Sequence, residues 1–174
     1  MGNPPPTDRR FDKPASESLV DLINFSNKTY IQYGEIEGDQ VTPFAGGELY
    51  NTSVRICLAG MSLSGPHSKM TYGRLDIGQY LPEPELFTYD TVADASTLFQ
   101  QLRDLHHIWV DGDDCKIIIG ELNSDGIRSI VFVPKPDHYV WTGQLVVKAA
   151  MKNHLQRFIT ERTLLGFSRP QLEL

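Results

Sequence analysis

The sequence predicts an α+β fold: two similar halves, each a helix plus an antiparallel sheet, packed as one domain behind an extended N-terminal arm. Three observations carry this reading. Two stretches hold apolar residues at helical spacing, Leu19, Leu22 and Ile23 in one and Leu98, Phe99, Leu102 and Leu105 in the other. Each stretch is followed by runs that alternate apolar and polar residues at the strand period, most clearly from Thr52 to Leu58. Turn-forming clusters, Ser64-Gly65-Pro66 and Asn123-Ser124-Asp125-Gly126, interrupt those runs where a chain reversal is needed.

Residues 1–15 read as the arm. Pro4, Pro5, Pro6 and Pro14 fix φ and remove backbone donors, while Asp8, Arg9, Arg10, Asp12 and Lys13 keep the segment solvated. Such a segment makes few hydrogen bonds of its own, so Pro4, Pro5, Pro6, Arg9 and Arg10 are candidates for contact with another surface. The domain proper covers 16–174, divided into halves 16–90 and 91–174. Ser16 is placed as the N-cap of a helix ending near Asn27. Strands are expected over 30–36, 52–58 and 69–75.

The second helical pattern opens at Thr91, with Gln100, Gln101, Arg103 and Asp104 opposite its apolar face. Strands are expected after it over 116–119, 128–133 and 139–148. The order helix, short strand, long strand, turn, long strand thus occurs twice. Ser68-Lys69-Met70-Thr71 and Gly143-Gln144-Leu145-Val146 hold matching places in the two halves. Neither half is large enough to bury a generous core alone, so the two are expected to pack together.

Composition limits the function classes. The chain has 174 residues, 40% hydrophobic and 22% charged, the ordinary globular range rather than that of a disordered chain. A net charge of −6 leaves no broad cationic field, which disfavours nucleic acid or an anionic membrane as the main partner and favours proteins. Cys57 and Cys115 form no C-x-x-C pair and read as reduced, buried thiols. The opening MGNPPPTDRR lacks the apolar region of a signal peptide, no run approaches the roughly 18 apolar residues of a membrane span, and Pro6 breaks the myristoylation pattern. Synthesis in the cytoplasm is expected.

The densest group of potential metal ligands is His106, His107, Asp111, Asp113 and Asp114. Adjacent histidines on a helix point about 100° apart, and the acidic run lacks the distal Glu of a calcium loop, so the group reads as a helix-to-strand turn with solvated carboxylates. Ser64, His67 and Ser68 have the composition of a hairpin loop without the G-x-S-x-G elbow. Gly46-Gly47 is followed by Glu48, with no lysine or helix to cradle a phosphate. No catalysis, metal or cofactor is expected. Tyr72, Trp109, Tyr139 and Trp141 sit at strand or strand-edge positions, where one ring face fills a core and an exposed subset would mark an interface.

The segment Asn51-Thr52-Ser53-Val54, then Ser64-Gly65, then Met70-Thr71-Tyr72-Gly73-Arg74-Leu75-Asp76 resembles a module of virion structural proteins of tailed bacteriophages. That module runs N-T-S/T-V, S-G-Y-x-G and Y-N-R-L-D-L; here Gly73 replaces its Asn and Pro66 its loop Tyr. Leu19-Val20-Asp21-Leu22-Ile23-Asn24 is similar to its helix, L-x-x-L-I-N, and Leu165-Gly166-Phe167 to its closing L-x-G-F. The resemblance implies a non-enzymatic assembly component of the neck, tail or capsid surface, made in the host cytoplasm and located in the virion. Its implied partners are other virion proteins and copies of itself. Arg74 and Asp76, two apart, would share one face of a strand with Leu75 opposite in a core, an arrangement that pairs them with a neighbouring module or leaves a charged, aggregation-resistant edge. Tyr72, Arg74, Asp76 and Trp141 are therefore the interaction candidates of the folded part. A second reading is a small soluble binding or immunity protein whose acidic surface neutralises a basic enzyme.

Overall fold

Alternating apolar residues pair as strands and the two helical stripes cover them. The structure, a computed structural model, describes residues 11–46, 50–61, 65–82, 86–90 and 93–151. Its elements are α1 (Ala15–Asn27), β1 (Ile36–Pro43), β2 (Thr52–Leu58), β3 (Ser68–Tyr72), β4 (Leu75–Asp76), α2 (Ile77–Tyr80), β5 (Phe87–Tyr89), α3 (Ala95–His106), β6 (Cys115–Ile119), β7 (Ile127–Pro134), β8 (Trp141–Thr142) and β9 (Leu145–Met151). The fold is α+β.

In the first sheet β1, β2 and β3 lie side by side and antiparallel, with Val54 opposite Met70 and Thr52 opposite Tyr72. A bulge between Asp39 and Thr42, where Gln40 takes φ 50°, bends β1. Leu19 and Ile23 of α1 pack on Val54, Ile56 and Tyr72, because residues two apart on a strand share a face and residues four apart on a helix share a stripe. The second sheet has the order β5-β9-β7-β6, antiparallel except that β5 runs parallel to β9. Leu98, Phe99 and Leu102 of α3 join Ile130, Phe132, Leu145 and Val147 in the larger core. Leu98 and Leu102 are fully buried, so truncating either to Ala costs about 2–5 kcal/mol. A third sheet of two short strands pairs β4 with β8 in parallel across the halves.

Several expected boundaries are corrected. Pro14, not Ser16, is the N-cap of α1; no side chain caps it, and its carbonyl accepts from Ser18 N–H. Residues 30–35 are not strand. Asn24 instead both accepts from Ile31 N–H and donates to its carbonyl, each at 2.8 Å, which satisfies that backbone from a side chain. α3 begins at Ala95 rather than Thr91, because Asp94 accepts from Thr97 N–H and caps it there. The strand expected over 69–75 ends at Tyr72, and Leu75–Asp76 belongs to a different sheet, so Arg74 and Asp76 do not line one strand face. Leu75 is 39% exposed rather than in a core. The strand expected over 139–148 is two pieces broken at Gly143, whose φ is 72°. β5 falls within 16–90 yet belongs to the second sheet.

Candidate interaction site

The Y-x-R-L-D signature is a seam between the halves. Arg74 N–H donates to Asn51 Oδ1 at 2.9 Å and Asn51 Nδ2 donates to the Arg74 carbonyl at 3.0 Å, a two-bond clasp that substitutes for strand pairing after β3 has ended. The guanidinium then crosses to the second half. Its Nε donates to Thr52 Oγ1 at 2.8 Å, and Nη1 donates to the carbonyls of Pro136 at 2.8 Å and His138 at 3.0 Å. Burial lowers the Arg74 pKa, yet a guanidinium stays charged in any protein setting, so a cation is held on neutral oxygens.

Two tyrosines continue the seam. Tyr72, buried, donates its hydroxyl to the Tyr139 carbonyl at 2.8 Å, and Tyr139 reaches across the first sheet to donate to the carbonyl of Gly38. Burial raises both phenols, which keeps them protonated donors. His138 Nδ1 accepts from the N–H groups of Val140 and Trp141, each at 3.0 Å, so the ring proton sits on Nε2. Nε2 faces Asp114 Oδ2 at 3.4 Å, an electrostatic contact longer than a good hydrogen bond. Burial pushes the Asp114 carboxyl up, but His138 and the Asp111 N–H outweigh it and hold it below the ordinary value.

Asp76 is the N-cap of α2, accepting from Gly78 N–H at 2.9 Å and Gln79 N–H at 3.2 Å. A Cβ on Gly143 would lie 2.5 Å from its carboxylate, so the corner between β4 and β8 closes only over glycine. Trp141, 1% exposed, sits beneath. Its ring meets Phe11 edge-on at 4.9 Å and Tyr80 at 5.0 Å. Phe11 comes from the end of the expected arm and is bridged to Ile108, with its carbonyl accepting from Trp109 N–H at 2.6 Å. That part of the arm therefore docks on this chain's own core. Pro4, Pro5, Pro6, Arg9 and Arg10 lie outside the described residues.

Thus Tyr72, Arg74, Asp76 and Trp141, expected as candidates for contact with a partner, lie at an internal joint: Tyr72 and Trp141 are buried, and Arg74 and Asp76 make hydrogen bonds within the chain. Sequence reasoning missed Phe11, Asn51 as a clasp, and His138. The signal for Phe11 was a lone aromatic in an otherwise polar, proline-rich arm; for Asn51 it was an amide just ahead of a strand.

The His/Asp group is a turn. Asp111 N–H donates to Asp114 Oδ1 at 2.9 Å, Asp113 N–H to Asp111 Oδ1 at 2.8 Å, His106 stacks on Phe87, and His107 is the left-handed C-cap of α3. Among the described residues, no three His, Cys, Asp or Glu side chains are gathered to hold a metal ion. Trp109 lies under the Arg103 guanidinium at 3.4 Å from the ring centre. His67 and Ser68 are exposed, and Ser64, Gly47 and Glu48 lie outside the described residues. A groove of about 430 Å³ between α1 and β1 is lined by Glu17, Leu19, Val20, Ile36, Glu37 and Tyr139. Surface aromatics cluster in the sequence of the first half: Phe25, Tyr30, Tyr33, Phe44 and Tyr50 are exposed, Tyr30 at 92%. No described helix is long and apolar enough to cross a membrane.

None of the curated proteins and none of the solved structures matches the chain. A single family model covers both halves together with the seam: the chain belongs to the family of unknown function DUF7941, whose model matches residues 9–173.

Proposed function

We propose that the chain is a non-enzymatic assembly component of a tailed-bacteriophage particle, in its neck, tail or capsid surface, where it meets other virion proteins and copies of itself. One observation carries the reading. The residues that resemble the phage module gather at the joint between 16–90 and 91–174: Tyr72 and Arg74 donate across it to the carbonyls of Tyr139, Pro136 and His138, Asn51 clasps Arg74, and Asp76 lies in the strand paired with β8, the part a structural module's signature should play. Their hydrogen bonds close on one another and on backbone, an arrangement that rigidifies a block rather than activating water or a nucleophile. The exposed aromatics of the first half supply the amphipathic contact area that protein interfaces favour.

The test is mass spectrometry of purified particles together with light scattering on the isolated chain. The chain is expected in particles at a fixed stoichiometry with known virion subunits. Its absence from particles, with a tight equimolar complex with a basic enzyme in its place, would replace this reading with the immunity-protein one.

A further inference from the structure

The second sheet is apolar on both of its faces. Successive side chains of a strand point to opposite sides, so Ile130 and Phe132 of β7 and Leu145 and Val147 of β9 share one side, where they close the larger core with α3. The residues between them face away from that core. Ile118 of β6 lies opposite Val131 of β7, and Val131 lies opposite Val146 of β9, which makes an aliphatic row across three strands. Ile118 is 46% exposed and Val146 50%. A sheet with one face on a core ordinarily turns polar residues to water, and an aliphatic row in their place marks a contact surface.

Charge fixes the chemistry of what covers it. Lys116 shares the face of Ile118, and Lys148 that of Val146, each being two residues along its strand; both lysines are exposed. Although the chain holds 22 Asp and Glu, the sequences of β6, β7 and β9 contain none. Two copies of this face pressed together would bring four lysines into one interface, so the face does not suit itself. It suits a surface that sets carboxylates among apolar groups, and the first half carries one. Glu17 and Glu37 flank the groove between α1 and β1. Glu17, Asp21 and Phe25 follow at four-residue steps along one row of α1, and the Tyr33 hydroxyl donates to Asp21 at 2.8 Å. Phe25 is 46% exposed and Tyr33 49%.

We infer that the outer face of β6, β7 and β9 is a docking surface for a second copy of this chain, which seats on it the acidic, aromatic surface of its first half. Lys116 and Lys148 meet Glu17 and Glu37, while the row of Ile118, Val131 and Val146 takes the rings of Phe25 and Tyr33. In a chain of net charge −6, copies repel one another at long range, and this orientation joins opposite charges instead. The two surfaces differ, so the contact is head-to-tail and generates a ring or a filament. The inference deepens the assembly reading and rests on it for its biological setting.

The experiment is sedimentation equilibrium on full-length chains with charges reversed on one surface at a time. Lys116→Glu/Lys148→Glu and Glu17→Lys/Glu37→Lys should each weaken self-association at least about tenfold. Mixed together, the two variants should associate with each other at close to the parental strength, because each reversed surface then meets an opposite one. Such recovery cannot come from a chain that has failed to fold. Ile118→Ser/Val146→Ser should also weaken association at least about tenfold, whereas Asp104→Lys, exposed on α3 across the sheet, should change it by less than about twofold. A parent chain still monomeric on the order of 100 μM overturns the inference. So does association that either charge variant leaves unchanged, or that is lost in both and not recovered on mixing. A chain present in particles but monomeric alone overturns the docking and spares the particle reading; a chain that associates through these surfaces but is absent from particles does the reverse.

Discussion

Replacing Arg74 with Ala tests whether the seam makes one cooperative unit of the two halves. The substitution leaves the Asn51 clasp, which uses backbone atoms, and removes three bonds from a charged donor. Pro136 is exposed, so its carbonyl turns to water at little cost. Thr52 is fully buried and the His138 carbonyl partly so, and hydrogen bonds to a charged partner contribute about 1.5–3 kcal/mol each, the lower end applying where water can enter. The expected loss is about 2–3 kcal/mol. Unfolding entropy of about 2.1 cal/mol/K per residue gives about 0.37 kcal/mol/K for a chain of 174 residues. The melting temperature should fall by about 5–8 °C in calorimetry. Arg74→Lys keeps the charge but not the fork and should lie between the two. A shift below about 2 °C, or an unchanged single transition beside a separately melting half, would refute the claim that this guanidinium couples the halves.

Phe11→Ala should lower the melting temperature by about 4–7 °C, because its ring packs edge-on against Trp141 and Tyr80; an unchanged melt would return residue 11 to a peripheral arm. Gly143→Ala should destabilise by at least about 2 kcal/mol in urea titration, since it strains a φ of 72° and drives a methyl into the Asp76 carboxylate. Asp114 titrates below its ordinary 3.8 in the folded state, so its contribution is fully present above that pH and is lost as pH falls through the lower folded value. Asp114→Asn should therefore be less stable than the parent at pH 7, with the gap closing as the pH falls below 3.8 through the lower folded value, as read by circular dichroism across an acid titration.

Local chemistry made much of the fold legible. The stripes at Leu19 and Leu98 became α1 and α3 because a helix must bury the face its 3.6-residue period lines up, and Thr52–Leu58 became β2 because a two-residue period fits only a pleated strand. The turn at Asn123–Gly126 also lies where expected, with Gly126 at φ 63° and its N–H on the Asn123 carbonyl. Boundaries were less legible where a side chain competed with the ladder. Asn24 took the backbone of Ile31 out of a strand, and Asp76 turned a strand end into a helix cap.

By itself the sequence determined the α+β class, the two helix-then-strands runs and the net negative charge, since each depends on period, charge or composition. Tertiary structure alone decided what the side chains of Tyr72, Arg74 and Asp76 bond. Whether Arg74 meets a neighbouring molecule or the carbonyls of Pro136 and His138 depends on contacts 62 and 64 residues away in the chain. It also decided that β5 leaves the half it follows and that Phe11 joins the core of the second half. Such pairings are set by which buried surfaces close over one another, and no local pattern encodes them.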